Sequence, residues 1–156
     1  TAQREWFNLH QLVAEVISRL SGTPHAMVMA RIRTEFKEHL ACWADRQQVQ
    51  AMLMQLLDNA CHAVAAGEGE IVVRAWESDA GHLCLEICDS GPGIAPEMRS
   101  KVLAPFFSTR ADGTGLGLSI VHQIVDNHGG SLEIGANSPQ GCVIALQLPL
   151  PQNATP

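Results

Sequence analysis

The 156-residue chain has little positive charge and no cluster of it. Lys and Arg number 10 against 16 Asp and Glu, for a formal net charge of −6. Nucleic-acid binding needs grouped cations on one surface, so that class of partner is excluded at the outset. Long apolar runs are also missing, and no stretch approaches the roughly 20 residues of a membrane-spanning helix. Nothing at the start resembles a signal peptide. The five cysteines (Cys42, Cys61, Cys84, Cys88, Cys142) are odd in number and contain no C-x-x-C pair. This usage implies reduced, buried thiols in a cytoplasmic protein rather than a disulfide framework. The seven histidines show no zinc-ligand spacing. What is present, 46% hydrophobic and 17% charged residues, is the balance of one globular domain. The chain begins at Thr1 without a methionine and reads as an excised fragment.

Periodicity organises the rest. A helix is predicted over 7–20, with Asn8 as N-cap and Leu9, Leu12, Val13, Val16, Ile17 and Leu20 on one face. Ser21-Gly22-Thr23-Pro24 ends it. Val28, Ala30 and Ile32 alternate with Arg31, Arg33 and Glu35, the pattern of a half-buried strand, and a second short strand is expected over 40–43. Asp45 is placed to cap a long helix reaching about residue 66, with Val49, Leu53, Leu56, Leu57, Ala60 and Val64 as its buried stripe. Strands over 71–77 and 82–89 flank a turn at Asp79-Ala80-Gly81. Residues 90–113 are rich in Gly, Pro and Ser, with one short helical stretch near 96–103. A helix over 114–127 stops at His128-Gly129-Gly130, and strands over 131–136 and 142–148 close the domain. The order predicts an α+β fold: a two-layer α/β sandwich whose mixed, mostly antiparallel sheet carries helices on one face. Residues 1–150 form the domain and 151–156 a disordered tail.

Three segments carry candidate chemistry. On the long helix Gln55, Asn59 and His62 are spaced i−4, i and i+3 and share one stripe at the border of the apolar face. An amide there can complete the oxygen shell of a Mg²⁺ already held by phosphates, or simply be a solvated helix flank. In Asp89-Ser90-Gly91-Pro92-Gly93-Ile94, the inward alternation of Leu83, Leu85 and Ile87 continues to Asp89. A buried carboxylate needs donors, and an adenine amino group is one; the alternative is an Asp-initiated turn. In Gly113-Thr114-Gly115-Leu116-Gly117-Leu118, glycines open the last helix and expose N–H groups and the positive dipole end to an anion. The bland alternative is a flexible capping loop. The segment lacks the Gly-Lys-Ser/Thr ending of a P-loop, and its spacing is not that of the dinucleotide fingerprint.

Taken in order, these segments resemble the boxes of histidine kinase catalytic domains. Gln55-Leu56-Leu57-Asp58-Asn59-Ala60 is similar to the N box, 89–94 to the G1 box, Pro105-Phe106-Phe107-Ser108-Thr109-Arg110 to the F box and 113–118 to the G2 box. The resemblance runs from the first helix to the closing Leu148-Pro149 and implies the Bergerat ATP-binding fold, with ATP and Mg²⁺ bound. Asn59 would chelate the metal, with His62 near the phosphates and Ala63 beside them. Asp89 would hydrogen-bond the adenine amino group, while Gly91, Gly93 and Ile94 shape the base pocket. Phe106 and Phe107 would anchor a lid, and Thr109 and Arg110 would approach the phosphates, with Arg110 where the family usually has Lys. Gly113, Thr114, Gly115, Leu116, Gly117 and Leu118 would line the triphosphate. Asn59, Gln55 and Arg110 are the residues expected to carry the catalytic work.

The same resemblance implies the partners. The γ-phosphate would go to a histidine on the kinase's own dimerisation and phosphoacceptor domain, because none of the seven histidines here begins the family's His-Glu/Asp…Pro motif. A response regulator would follow indirectly. Only Ala111 and Asp112 separate the F and G2 boxes, a short lid similar to that of nitrogen-sensing and flagellar sensor kinases. Two departures stand out. Members often have Asn where this chain has Gln55, and the hydrolytic relatives carry a Glu around that position as the base for water. Gln55 accepts no proton, which argues against the first rival, a hydrolytic ATPase. Gly141-Cys142 stands where Gly-Thr is common, and a thiol is the weaker partner for the adenine carboxylate. The second rival is a degenerate nucleotide-binding module.

Overall fold

The computed structural model describes residues 2–22, 31–64, 69–103 and 117–152. Helix α1 (Leu9–Ser21) starts where Asn8 Oδ1 accepts the Gln11 N–H at 2.9 Å, the expected cap. Its buried residues are Leu9, Leu12, Val13, Val16 and Leu20, the predicted face, with Ile17 at the margin. Phe7 belongs to a strand rather than to the helix. Strand β1 (Glu5–Asn8) pairs antiparallel with β3 (Ala41–Ala44), bringing Trp6 opposite Trp43 with ring centroids 5.4 Å apart. This two-stranded ribbon was not anticipated, because its partners are more than 30 residues apart in the chain and only four residues long.

Strand β2 (Ile32–Glu35) realises the described part of the first alternating segment; residues 23–30 lie outside the description. Helix α2 (Arg46–Val64) is capped by Asp45, whose Oδ1 accepts the Gln48 N–H at 3.2 Å. Every residue of the predicted stripe is buried: Val49, Leu53, Leu56, Leu57, Ala60 and Val64. Strands β4 (Ile71–Glu77) and β5 (His82–Asp89) follow with the expected bounds. Two 3₁₀ turns, Pro96–Met98 and Lys101–Leu103, replace the single short helix expected near 96–103. Helix α3 (Gly117–Asn127) is described from Gly117 onward. Its C-terminus closes as a Schellman motif: Gly130 N–H reaches Val125 O at 3.0 Å, Gly129 N–H reaches Asp126 O at 3.0 Å, and Gly129 has φ +69°. Strands β6 (Ser131–Ala136) and β7 (Cys142–Pro149) are the last described elements, and Leu150 N–H still bonds Gly81 O at 3.0 Å.

The five-stranded sheet has the order β2-β4-β5-β7-β6; β2 and β4 are parallel and every other pair is antiparallel. One sheet face packs on the helices. Cross-strand register aligns Val73, Ile87 and Ile144 in one row and Ala75, Leu85 and Leu146 in the next. These join the helical stripes in a single core. Large core side chains such as Leu56 and Leu85 contribute about 1.5–3 kcal/mol each by leaving water. The expected α+β sandwich is the fold observed. The other face carries charges: Arg74 Nε lies 3.2 Å from Glu35 Oε2, and Arg33 Nη1 3.5 Å from Glu70 Oε2. Such exposed pairs add little stability. Among the described residues no helix is long and apolar enough to cross a membrane.

Candidate functional site

Asp89 closes β5 in the row Ile71–Asp89–Cys142, on the core side of the sheet. It is 7% exposed, one of two buried polar residues among those described. Burial raises its carboxyl above the ordinary Asp range, because a charge there loses its hydration. Two main-chain donors work against that rise: the Gly91 N–H at 3.0 Å from Oδ1, and the N–H of Cys142. The expected inward carboxylate is therefore present. Its support from the Gly141-Cys142 side comes from backbone, not from the side chain at 142. The Cys142 thiol is buried and pushed up to about 12 by desolvation, so it stays neutral.

The loop after Asp89 is held by close backbone packing at two glycines. A Cβ placed on Gly91 would lie 2.6 Å from the Ala63 carbonyl oxygen, so this loop sits directly on the end of α2. Gly93, at φ +81°, would put a Cβ 2.9 Å from the Gly141 carbonyl oxygen. Gly141, at φ +114°, would drive a Cβ into the carbonyl of Asp89. The loop is thus wedged between α2 and the β6–β7 turn, and any side chain at these points forces a shift. Two amides from that turn complete the hold: Asn137 Nδ2 donates to Asp89 O at 2.9 Å and Gln140 Nε2 to Ser90 O at 3.1 Å. Sequence reasoning missed both. They are polar residues of a turn with no periodicity to mark them. Ile94 packs against the core, and its carbonyl accepts from Arg99 Nε at 3.3 Å.

Helix α2 links this loop to the start of α3. A Cβ on Gly117 would lie 2.8 Å from Gln55 Oε1 and 3.9 Å from Asn59 Nδ2. The polar stripe therefore lies against the first residues of α3, while Ala63, two turns on, lies against the Asp89 loop. The separation along the helix from Gln55 to Ala63 is about 12 Å at 1.5 Å per residue. His62 Nδ1 lies 3.0 Å from the Asp58 carbonyl and 3.7 Å from Asp58 Oδ1; with a carbonyl as partner that nitrogen donates. Gln55, Asn59, His62, Ala63, Asp89, Gly91, Gly93, Ile94, Gly117 and the partly buried Leu118 are brought together around α2. Phe106, Phe107, Thr109, Arg110, Gly113, Thr114, Gly115 and Leu116 lie outside the described residues. Among the described residues no group of three His, Cys, Asp or Glu side chains could hold a metal by itself. A cation here would need oxygens from a ligand, with the Asn59 amide as a hard protein donor, and the Asn59 position fits that role.

A buried carboxylate with main-chain donors near one end of α2, the start of α3 near the other, and the five-stranded sandwich behind them give the architecture of a Bergerat-type fold. The family described as "Histidine kinase-, DNA gyrase B-, and HSP90-like ATPase" matches residues 44–152, and the chain belongs to it, as an ATP-binding catalytic domain of the sensor histidine kinase kind. It is 38% identical over 107 residues to the sensor histidine kinase ZraS of Salmonella typhi, covering 69% of this chain and 23% of ZraS. The solved catalytic domain of histidine kinase ThkA, nucleotide free, superposes with a TM-score of 0.80 at 33% identity, covering 94% of this chain and 95% of that one. The structure of ThkA in complex with response regulator protein TrrA matches at 0.78 and 26%, over 96% of this chain and 42% of that one. The chain thus spans about a quarter of the length of ZraS.

Proposed function

We propose that this domain binds ATP with Mg²⁺ and presents the γ-phosphate to a histidine on a separate dimerisation and phosphoacceptor domain of the same kinase. The observation that carries the reading is Asp89, a carboxylate held inside the sheet by main-chain donors and joined through α2 to the start of α3. Asp89 accepts from the adenine amino group, and the loop of Gly91, Gly93 and Ile94 borders the base. Asn59 and the first turn of α3 face the phosphates, with Gln55 fixing where that turn sits. Thr109, Arg110 and the glycines of 113–118 complete the phosphate side by resemblance. The metal, when bound, neutralises phosphate charge and takes one oxygen ligand from Asn59. In the transfer a bond forms from an imidazole nitrogen of the partner to phosphorus, and the bond to the β,γ-bridging oxygen breaks with its electrons leaving on ADP. Positioning and charge neutralisation are the domain's share of that work. A response regulator receives the phosphoryl group afterwards; the similar kinase ThkA has been solved in complex with response regulator protein TrrA.

Gln55 supports transfer over hydrolysis, since a neutral amide cannot take a proton from water. The test is reconstitution. The 156-residue chain alone acquires no label from γ-labelled ATP and hydrolyses it slowly. Supplying the kinase's own phosphoacceptor domain in trans gives acid-labile label on that domain, and Asn59→Ala removes it. Acid-labile label on the isolated chain, or rapid steady-state hydrolysis, would contradict the proposal.

A further inference from the structure

The β6–β7 turn is not accounted for by the four boxes, yet two of its side chains donate to the main chain of the Asp89 segment. Asp89 is the last residue of β5, where the chain leaves the sheet and its carbonyl needs a donor. Asn137 Nδ2 supplies it at 2.9 Å across 48 residues of sequence. The same side chain is locked by its own turn: Oδ1 accepts the Ser138 N–H at 3.0 Å, and the Asn137 N–H reaches Gly141 O at 3.1 Å. Asn137 is thus fixed at three points and has little conformational freedom left to lose when it grips Asp89. Three residues on, Gln140 Nε2 holds the Ser90 carbonyl at 3.1 Å. Ser90 is pinned from the opposite side as well, by Glu70: the Glu70 N–H donates to Ser90 Oγ at 2.8 Å, and the Ser90 N–H to Glu70 O at 3.2 Å.

These bonds bear on recognition because the Asp89 side chain takes its orientation from the backbone they hold. Its carboxylate accepts from Gly91, two residues further along the same loop, and from Cys142, the residue just past the turn. Shifting the 89–91 backbone by a fraction of an ångström moves the acceptor and one of its donors together. A charge-assisted bond to a fixed ligand edge is sensitive to such a shift, since hydrogen bonds weaken steeply with angle. We propose that Asn137 is a positioning residue for nucleobase selection, setting the angle of the Asp89 carboxylate toward an exocyclic amino group, with Gln140 as a weaker second brace. This rests on the adenine reading of Asp89 given above.

The test separates base selection from general stability. Inosine triphosphate has the phosphates and sugar of ATP but a ring oxygen substituent in place of the amino group. Calorimetric titration of the 156-residue chain with each nucleotide, under identical Mg²⁺, gives the discrimination ratio. Asn137→Asp keeps the acceptor for Ser138 while removing the donor to Asp89, and Asn137→Ala removes both. In each variant ATP binding weakens by about tenfold, the size of one lost hydrogen bond in the range of 1.4 kcal/mol, while inosine triphosphate binding stays within about twofold. Gln140→Ala, at an exposed position, lowers the ratio by about threefold and serves if the Asn137 variants do not fold. Equal losses for both nucleotides, or an unchanged ratio in all folded variants, would overturn the role of the turn. A parent chain that binds both nucleotides alike would overturn the adenine reading, and this inference with it.

Discussion

Asp89 and His128 are the two buried polar residues of the described structure, and they solve the same problem in opposite ways. His128 is 2% exposed at the end of α3, and both of its ring nitrogens are used. Nδ1 lies 2.8 Å from Ile124 O and donates to it, which leaves Nε2 to accept the Asp45 N–H at 2.9 Å. Asp45 in turn caps α2 and accepts the Gln3 N–H at 2.9 Å, chiefly through which its carboxyl is held below the ordinary Asp range. That knot ties the N-terminal segment, α2 and α3 together, with every ring nitrogen matched by main chain. From the described residues Asp89 takes two main-chain donors, and burial raises its carboxyl more than those donors lower it. His128 has both ring nitrogens matched by main chain, whereas the Asp89 carboxyl is held against its own burial, and the proposed nucleotide contact is assigned to the second of these.

The largest effect that tests this contrast is expected at the knot. His128→Ala leaves the Asp45 N–H without its partner and a cavity in the core, costing roughly 2–4 kcal/mol. For a domain of this size that lowers the melting temperature by roughly 5–15 °C. Nucleotide affinity, measured at a temperature where the variant is folded, stays within about twofold. An affinity loss as large as the stability loss would erase the distinction between the two sites. Next in size is the reverse case. Asp89→Asn weakens ATP by about ten- to a hundredfold, the range of a charge-assisted hydrogen bond, without a comparable fall in the melting temperature of the unliganded chain. An unchanged affinity in a folded variant would remove Asp89 from the base contact.

The smallest and sharpest effect is in pH. Because the folded carboxyl of Asp89 is raised above its unfolded value, its contribution to stability is fully present below the unfolded value and is lost as pH rises through the folded one. On acidification from neutral pH the unliganded parent chain therefore gains stability relative to Asp89→Asn, while its ATP affinity falls more steeply than the variant's. Melts and titrations of both proteins from neutral pH down toward the ordinary Asp range read the two slopes. Slopes of the same sign would show that another group dominates.

Much of this could be read from the sequence, and the exceptions share a cause. Alternation through Leu83, Leu85 and Ile87 was enough to turn Asp89 inward, and the spacing of Gln55, Asn59 and His62 was enough to place them on one stripe. Both readings use a period that one element contains in itself. Strand β1 was absorbed into the helix because Phe7 and Leu9 fit either period where the two elements meet, and only the pairing with Ala41–Ala44 decides between them. Asn137 and Gln140 are legible only once the β6–β7 turn is laid over the end of β5. Position 142 is a related case: the donor that reaches Asp89 from there is a main-chain N–H, which residue identity does not reveal.

The mutual contact of Gly93 with Gly141, and of Gly91 with Ala63, has a bearing on how an inhibitor of this site would age. A compound that takes Asp89 as its handle and lies along this wall meets main chain, and a substitution that thickened the wall would first have to push carbonyl oxygens apart. Single mutations at this wall therefore carry a cost in the fold itself, and Gln55 and Asn59, on which the proposed transfer depends, offer no freer route of escape.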